Sequence, residues 1–369
     1  MIKVAIVAGA RPNFMKVAPI LRALKKFPRL KTILVHTGQH YDFRMSEVFF
    51  KDLSIPRPDV TLNCGPGTHA EQTGKILEAF EKMLLKIKPR LVVVVGDVNS
   101  ALAASLAAAK LGIRVAHVEA GLRSFDRDMP EEINRLVTDR LSDLLFVSEE
   151  SGLRNLKREG VAQGKVFHAG NVMIDSLVSS LGAIRRSKVL VRLGLRAKSY
   201  GVVTLHRPSN VDNAASLKEI ARILEAASKK CPILFPVHPR TLKKIEAHGL
   251  HSRFKKIGRL RCVEPLGYTD FMKLVQESCF VLTDSGGIQE ETTYLKVPCM
   301  TMRHNTERPS TIEIGSNLLV GNDARHISKG ITRALSGRWK RSGIPRFWDG
   351  KAALRIAAVL EKSLELPNF

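Results

Sequence analysis

Short β-branched runs alternate with helix-length segments along the chain, and this rhythm confines it to a parallel α/β architecture. IKVAIVAG is followed by a helical stretch near Phe14 to Phe27, KTILVHTG by one near Thr68 to Lys86, and LVVVVGD by an Ala-rich helix reaching Lys110. RVAHVEAG, a helix opening near Pro130, DLLFVS, a helix to about Arg158 and KVFHAGN continue the series. These strands are continuous apolar runs, as expected when helices cover both faces of a sheet. After a basic stretch, Arg185 to Ser199, a second series runs through YGVVTLHR, CPILFPVHPR, FVLTDSG, VPCMTM and NLLVG. The expectation is two Rossmann-like doubly wound domains, residues 1–172 and 173–351, with residues 352–369 forming a last helix that packs back on the first domain. Two such sheets facing a cleft would turn their strand C-terminal ends toward it, where ligands bind in this class of fold.

Length and composition agree with that division. The 369 residues suffice for two domains, and 44% hydrophobic with 25% charged residues is an ordinary globular balance. Wholly apolar runs such as Leu91–Val95 and Leu106–Ala109 fall far short of the roughly 18 to 20 residues that span a bilayer, so no transmembrane segment is expected. The opening MIKVAIVAGARP has neither a basic leader nor a small-residue cleavage site, which points to a cytoplasmic protein. Five cysteines, Cys64, Cys231, Cys262, Cys279 and Cys299, form no C-x-x-C pair and read as buried free thiols.

The 59 Lys and Arg residues against 35 Asp and Glu leave a formal charge of +24. The excess gathers in the second half, with six basic residues and no acid in Arg185–Lys198, and eight basic residues against Glu246 in Arg240–Arg261. Such a surface attracts polyanions: nucleic acid, an anionic membrane or a phosphorylated substrate. No zinc-finger, helix-turn-helix or RNP-like pattern accompanies it and aromatics are only 6%, so a solvated basic face is preferred over dedicated nucleic-acid binding.

Chemistry-bearing residues fall at strand ends. Gly9 to Lys16 supplies a tight turn and two cations, Arg11 and Lys16, at a helix start whose free amides favour an anion; it is neither G-x-G-x-x-G nor a Walker motif, so nicotinamide and ATP sites are not supported. Asp97 in GDVNS, Glu119 in HVEAGLRS and Glu131 or Glu132 after Pro130 place carboxylates near Arg123 and Arg135, an arrangement suited to general acid and base work. Helix capping and an ion pair of Glu131 with Arg135 is the plainer reading of that helix. His206 with Arg207, and His238 with Arg240, stand at two further strand ends, where histidine can exchange protons or neutralise phosphate. His117 and Glu119 lack a matched third ligand, so a metal site is not expected. In TDSGGIQEE the turn Ser285, Gly286, Gly287 opens a helix whose amides can grip a diphosphate, Glu291 can accept from a ribose diol, and Arg308 adds a cation. No G-x-S-x-G motif is present.

Taken in order, GARP, TGQHYD, GDVNS, HVEAGLRSF, MPEEINR, TLHRPSNVD, PVHPR, TDSGGIQEE and NTERP resemble the non-hydrolysing UDP-N-acetylglucosamine 2-epimerases, over about residues 2 to 355. The resemblance implies the glycosyltransferase-B architecture, a homodimer, no NAD and no obligatory metal, and interconversion of UDP-GlcNAc and UDP-ManNAc by elimination of UDP and re-addition to an enzyme-held 2-acetamidoglucal. It further implies Arg11 and Lys16 as phosphate-side cations and Asp97, Glu119 and Glu131 as the acid-base set. His206 would sit on the diphosphate and Phe271 on uracil, with Ser285, Gly286, Gly287, Glu291 and Arg308 as the remaining nucleotide contacts. Asn13, and Pro208-Ser209, depart from residues common in relatives. A closely related group epimerises UDP-2,3-diacetamido-glucuronic acid and shares several of these motifs; a glycosyltransferase on the same architecture would not need two carboxylates at carbon 2. Gln39-His40 resembles a segment near which bacterial members bind an activating second substrate molecule.

Overall fold

The computed structural model describes residues 1–38 and 55–365. The chain forms two units, Met1–Ser179 together with Arg346–Phe369, and Ser180–Pro345. The first division falls inside the helix Val172–Arg186, later than the sequence expectation at 172, and the return falls at Arg346, ahead of the terminal helix.

In the first unit seven strands, β1 (Ile2–Ala8), β2 (Leu30–His36), β3 (Val60–Thr61), β4 (Leu91–Val95), β5 (Arg114–Ala120), β6 (Leu144–Val147) and β7 (Val166–His168), form one sheet in the order β3-β2-β1-β4-β5-β6-β7. Every pairing is parallel, with β1 flanked by β2 and β4. The strand order therefore reverses beside β1, and the crevice beyond the carboxyl ends of β1 and β4 is where such a sheet binds ligands. The β4 residues are fully buried because helices cover both faces, and the small side chains Ala101, Ala104 and Ala108 of the helix Asn99–Lys110 let it lie close against that strand.

The terminal helix Ala352–Glu365 belongs to this first unit and packs on the helix Arg11–Leu24. Trp348, buried just before it, donates its indole N–H to the Ser148 carbonyl at 2.9 Å. Asp175 caps it, accepting from the Ala352 amide at 3.1 Å and the Ala353 amide at 2.7 Å. Burial lifts the Asp175 carboxyl to about 6 in spite of those two donors.

The second unit repeats the topology with six strands. They are β8 (Gly201–Thr204), β9 (Ile233–Pro236), β10 (Leu260–Val263), β11 (Phe280–Thr283), β12 (Cys299–Thr301) and β13 (Asn317–Leu319), in the order β10-β9-β8-β11-β12-β13. Its reversal lies beside β8, between β9 and β11. Val203, Leu224, Phe235, Phe280 and Met300 lie in one core cluster. Gly201 has no alternative there: a Cβ would stand 2.4 Å from the Phe280 ring.

Two strands were not anticipated from sequence. β3 is only two residues long, and β10 starts at the very end of the basic stretch Arg240–Arg261, where its exposed Arg261 and Cys262 hide the strand signal. The five cysteines are free, but only Cys64, Cys231 and Cys299 are buried; Cys262 is exposed and Cys279 half-buried, against the expectation of buried thiols throughout. Among the described residues no helix is long and apolar enough to cross a membrane.

Candidate active site

The turn after β1 is closed by Asn13. Its Oδ1 accepts from the amides of Gly9 (3.3 Å) and Ala10 (2.9 Å), and its Nδ2 donates to the Val95 carbonyl at the end of β4 (2.8 Å). One turn further, Lys16 reaches across to Glu119, Nζ to Oε2, at 2.5 Å, with both side chains buried. Glu119 sits where the β5–β6 register slips between Val118 and Ala120, and its φ of 73° is a left-handed conformation that side chains other than glycine and asparagine seldom adopt. Bulges and strained backbone of this kind concentrate at functional sites. The second carboxylate oxygen, Oε1, is buried and has no hydrogen-bond partner among the described residues, so an acceptor is left for a ligand. Gly96 makes the approach possible: its φ is 70°, and a Cβ there would stand 3.0 Å from Lys16 Nζ and 3.5 Å from Glu119 Oε2.

Asp97 follows directly and accepts from Arg135 Nη1 at 2.7 Å while remaining 27% exposed. Arg135 is itself buried against Glu132, Nε to Oε2 at 3.1 Å. Glu132 also accepts from the Ser124 amide and hydroxyl, both at 2.9 Å, and from the Phe125 amide at 3.0 Å. The ion pair on this helix is therefore Glu132 with Arg135, not Glu131 with Arg135 as the plainer sequence reading had it. Glu131 lies half-buried one residue before, outside that network. Asn134 braces the loop by donating to the Asp97 carbonyl (2.9 Å) and to Asn99 Oδ1 (3.1 Å).

Behind these groups His117 bridges Asp139 Oδ1 (2.6 Å) and the Gly96 carbonyl (2.9 Å). Asp139 also accepts from the Gly121 amide (3.0 Å) and meets Arg123 Nη2 (2.7 Å). Burial pushes the Asp139 carboxyl up, but His117 and Arg123 outweigh it and hold it below its ordinary value. His117 is thus committed to the scaffold and Arg123 to Asp139 and Glu159. Among the described residues no three His, Cys, Asp or Glu side chains gather as metal ligands.

In the second unit the focus is Asp284, at the end of β11 and wholly buried. It accepts from the amides of His206 (3.0 and 3.1 Å) and Arg207 (2.9 Å) and from Asn210 Nδ2 (3.0 Å), and it faces His206 Nδ1 at 3.0 Å. Burial pushes this carboxyl up; the His206 contact and the other donors carry it net downward. The His238 ring lies 5.3 Å from that of His206, and its Nδ1 accepts from the Arg240 amide, capping the helix Pro239–Ala247. Next to Asp284 the helix Gly286–Leu295 begins at Ser285 without a side-chain cap, so its first amides are offered to an anion. Arg308 lies on that start: a Cβ on Gly286 would be 2.6 Å from its Nη1. Arg308 is paired with Glu290 (2.9 Å) and Glu307. One turn along, Glu291 accepts from the Tyr268 hydroxyl at 2.8 Å, and burial raises its carboxyl to about 8. Phe271 stands half-buried on the helix Tyr268–Gln276.

The sequence-expected residues thus fall into two groups. Lys16, Asp97, Glu119 and Arg135 gather in the first unit, with Glu131 on the Arg135 helix; His206 with His238, and Ser285, Gly286 and Gly287 with Arg308, gather in the second. Arg11 opens its helix, but its side chain lies outside the described residues, as do Gln39 and His40. Sequence reasoning passed over Gly96, Tyr268 and Asp284, named Asn13 only as a departure from relatives, and left Glu132 as an alternative to Glu131. The available signals were a polar residue inside each strand-end turn and, for Glu132, its i,i+3 spacing to Arg135.

A family model described as UDP-N-acetylglucosamine 2-epimerase matches residues 22–361. The chain is 44% identical over 367 residues to the UDP-N-acetylglucosamine 2-epimerase of Methanocaldococcus jannaschii, covering 97% of this chain and 98% of that one. It is 40% identical over 364 residues to the UDP-2,3-diacetamido-2,3-dideoxy-D-glucuronate 2-epimerase of Pseudomonas aeruginosa, covering 98% and 99%. The crystal structure of the M. jannaschii UDP-GlcNAc 2-epimerase in complex with UDP-GlcNAc and UDP aligns with a TM-score of 0.91 at 43% identity, over 98% of this chain and 100% of that one. With nearly its whole length matched in sequence and in fold, the chain belongs to the UDP-N-acetylglucosamine 2-epimerase family.

Proposed function

We propose that the protein interconverts UDP-N-acetylglucosamine and UDP-N-acetylmannosamine, by anti-elimination of UDP across carbons 1 and 2 and re-addition to a retained 2-acetamidoglucal. The observation that carries this reading is a pair of carboxylates at neighbouring strand ends, each set against a buried cation: Glu119 on Lys16 at 2.5 Å and Asp97 on Arg135 at 2.7 Å. A proton on carbon 2 is weakly acidic, so its removal needs a positioned base and a leaving group whose charge is stabilised as it departs. Asp97, Glu119 and Glu131 act as the acid-base set. Lys16, together with Arg11, stabilises negative charge on the phosphate side. The diphosphate is received by the uncapped amides of Gly286 and Gly287, by the Ser285 side chain, by Arg308 and by His206, with His238 beside it. Glu291 takes the ribose hydroxyls and Phe271 the uracil.

The 40% identity to a diacetamido-glucuronate epimerase favours one second reading, the same chemistry on that sugar, and side-by-side turnover of the two UDP-sugars separates them. The working form is a homodimer in the cytoplasm, a reading that rests on likeness to the family.

Incubation with UDP-GlcNAc in deuterated water will place deuterium at carbon 2 and yield UDP-ManNAc; unlabelled, unchanged substrate contradicts the proposal. Asp97→Asn and Glu131→Gln are each expected to lower turnover by about 100-fold or more while leaving UDP affinity nearly intact, the usual scale for acid-base groups. A near-normal rate removes that residue from the set. Glu291 is protonated below about 8, and hydroxyl donors from ribose and Tyr268 favour its ionised form. UDP binding at pH 7 should therefore release more proton from the unaltered protein than from Glu291→Gln. Calorimetry in buffers of different ionisation enthalpy measures it, and equal release from both proteins contradicts the assignment.

A further inference from the structure

We infer that Asp284 is a positioning residue for the reaction, holding the His206 imidazole by Nδ1–H so that Nε2 is the nitrogen presented to the departing diphosphate. The inference rests on the reading that His206 meets that diphosphate, and goes beyond it by naming what orients the ring. Asp284 is 0% exposed, whereas the His206 side chain is 39% exposed. One ring nitrogen is therefore turned inward onto the acid and the rest of the ring outward. An ionised carboxylate only accepts, so the nitrogen 3.0 Å from Asp284 Oδ1 must carry the hydrogen. In the neutral ring this selects the Nδ1–H tautomer; in the imidazolium both nitrogens donate, inward to Asp284 and outward from Nε2 to the phosphate oxygen that takes the electron pair of the breaking C1–O bond.

The remaining contacts make the carboxylate a fixed point. The amides of His206 and Arg207 and the Asn210 side chain all donate to it, so the acid cannot rotate away from the ring without losing backbone partners. Among the described residues, the His206 ring meets Asp284 from the end of β11 and His238 from the end of β9. The His238 Nδ1 is engaged by the Arg240 amide. Asp284 also immediately precedes Ser285, the residue at which the anion-receiving helix begins. A merely structural acid would be satisfied by the backbone and Asn210 donors alone; the imidazole contact is the part that serves chemistry.

Nitrogen-15 NMR of the unaltered protein, with histidine labelled and His206 assigned by comparison with His206→Gln, reads the tautomer directly and needs no folded Asp284 variant. The expected result is a neutral His206 protonated at Nδ1; protonation at Nε2 overturns the proposal. In kinetics, Asp284→Asn should lower kcat by about 100-fold or more with a much smaller change in KM, by analogy with acids that orient a catalytic histidine. The double variant His206→Gln, Asp284→Asn should be no slower than His206→Gln alone. Full additivity of the two losses overturns the proposal. Absence of epimerisation in the unaltered enzyme overturns the functional reading and this inference together, whereas normal epimerisation with the wrong tautomer or with additive losses overturns only the role of Asp284.

Discussion

A charged carboxylate buried to 3% exposure needs a cation or several donors against it, and for Glu119 that need is met by the Lys16 contact at 2.5 Å, around which the first unit's strand ends are built. The lysine must start one turn into the first helix, which Asn13 secures by tying the turn amides to the β4 end. Glycine suits position 96 beneath the contact, where φ is 70° and a Cβ would press the ammonium at 3.0 Å. The glutamate must leave the regular strand, which the bulge and the positive φ accomplish. Four local features that look unrelated in sequence thus answer one electrostatic demand.

The two units share a strand order yet solve different problems at their strand ends. The first surrounds carboxylates with fixed cations, so that acids of unlike environment stand close together: Asp97 is partly open to solvent, while Glu119 is closed in with one oxygen unsatisfied. That contrast separates the work two acids can do in one site. The second unit offers donors to an anion through the uncapped helix start after Ser285 and through His206 and Arg308. Its own acids are either consumed internally, as Glu290 and Glu307 are by Arg308, or neutralised by burial, as Glu291 is. On the proposed function, the first unit is assigned the proton chemistry and the second the anion affinity, a division suited to a reaction that moves a proton and a diphosphate together.

Much of this was legible in the amino-acid order. Apolar runs buried on both faces announced β1, β4, β8 and β11, and polar residues directly after them marked the candidate site, because strand C-termini are where a parallel sheet exposes side chains to a ligand. What stayed hidden has physical causes. β10 carries exposed residues that look like a basic loop, and β3 is too short to have a period. Glu131 and Glu132 both stand a turn from Arg135, at i,i+4 and i,i+3, and only packing against Ser124 and Phe125 selects Glu132. Asn13, read from sequence as a departure from relatives, makes three hydrogen bonds that need both an acceptor and a donor, which a carboxylate cannot supply. Asp284 was overlooked because the glycines after it drew the reading toward the turn, while its partners lie on a strand end some 78 residues away.

The buried ion pair is the most exposed part of this account to experiment, and a double-mutant cycle on Lys16→Met and Glu119→Gln, followed by chemical denaturation, tests it most directly. Each single change should cost about 3 to 5 kcal/mol, because it strands a buried partner, and the double variant should be more stable than either single one. Simple addition of the two losses would contradict it.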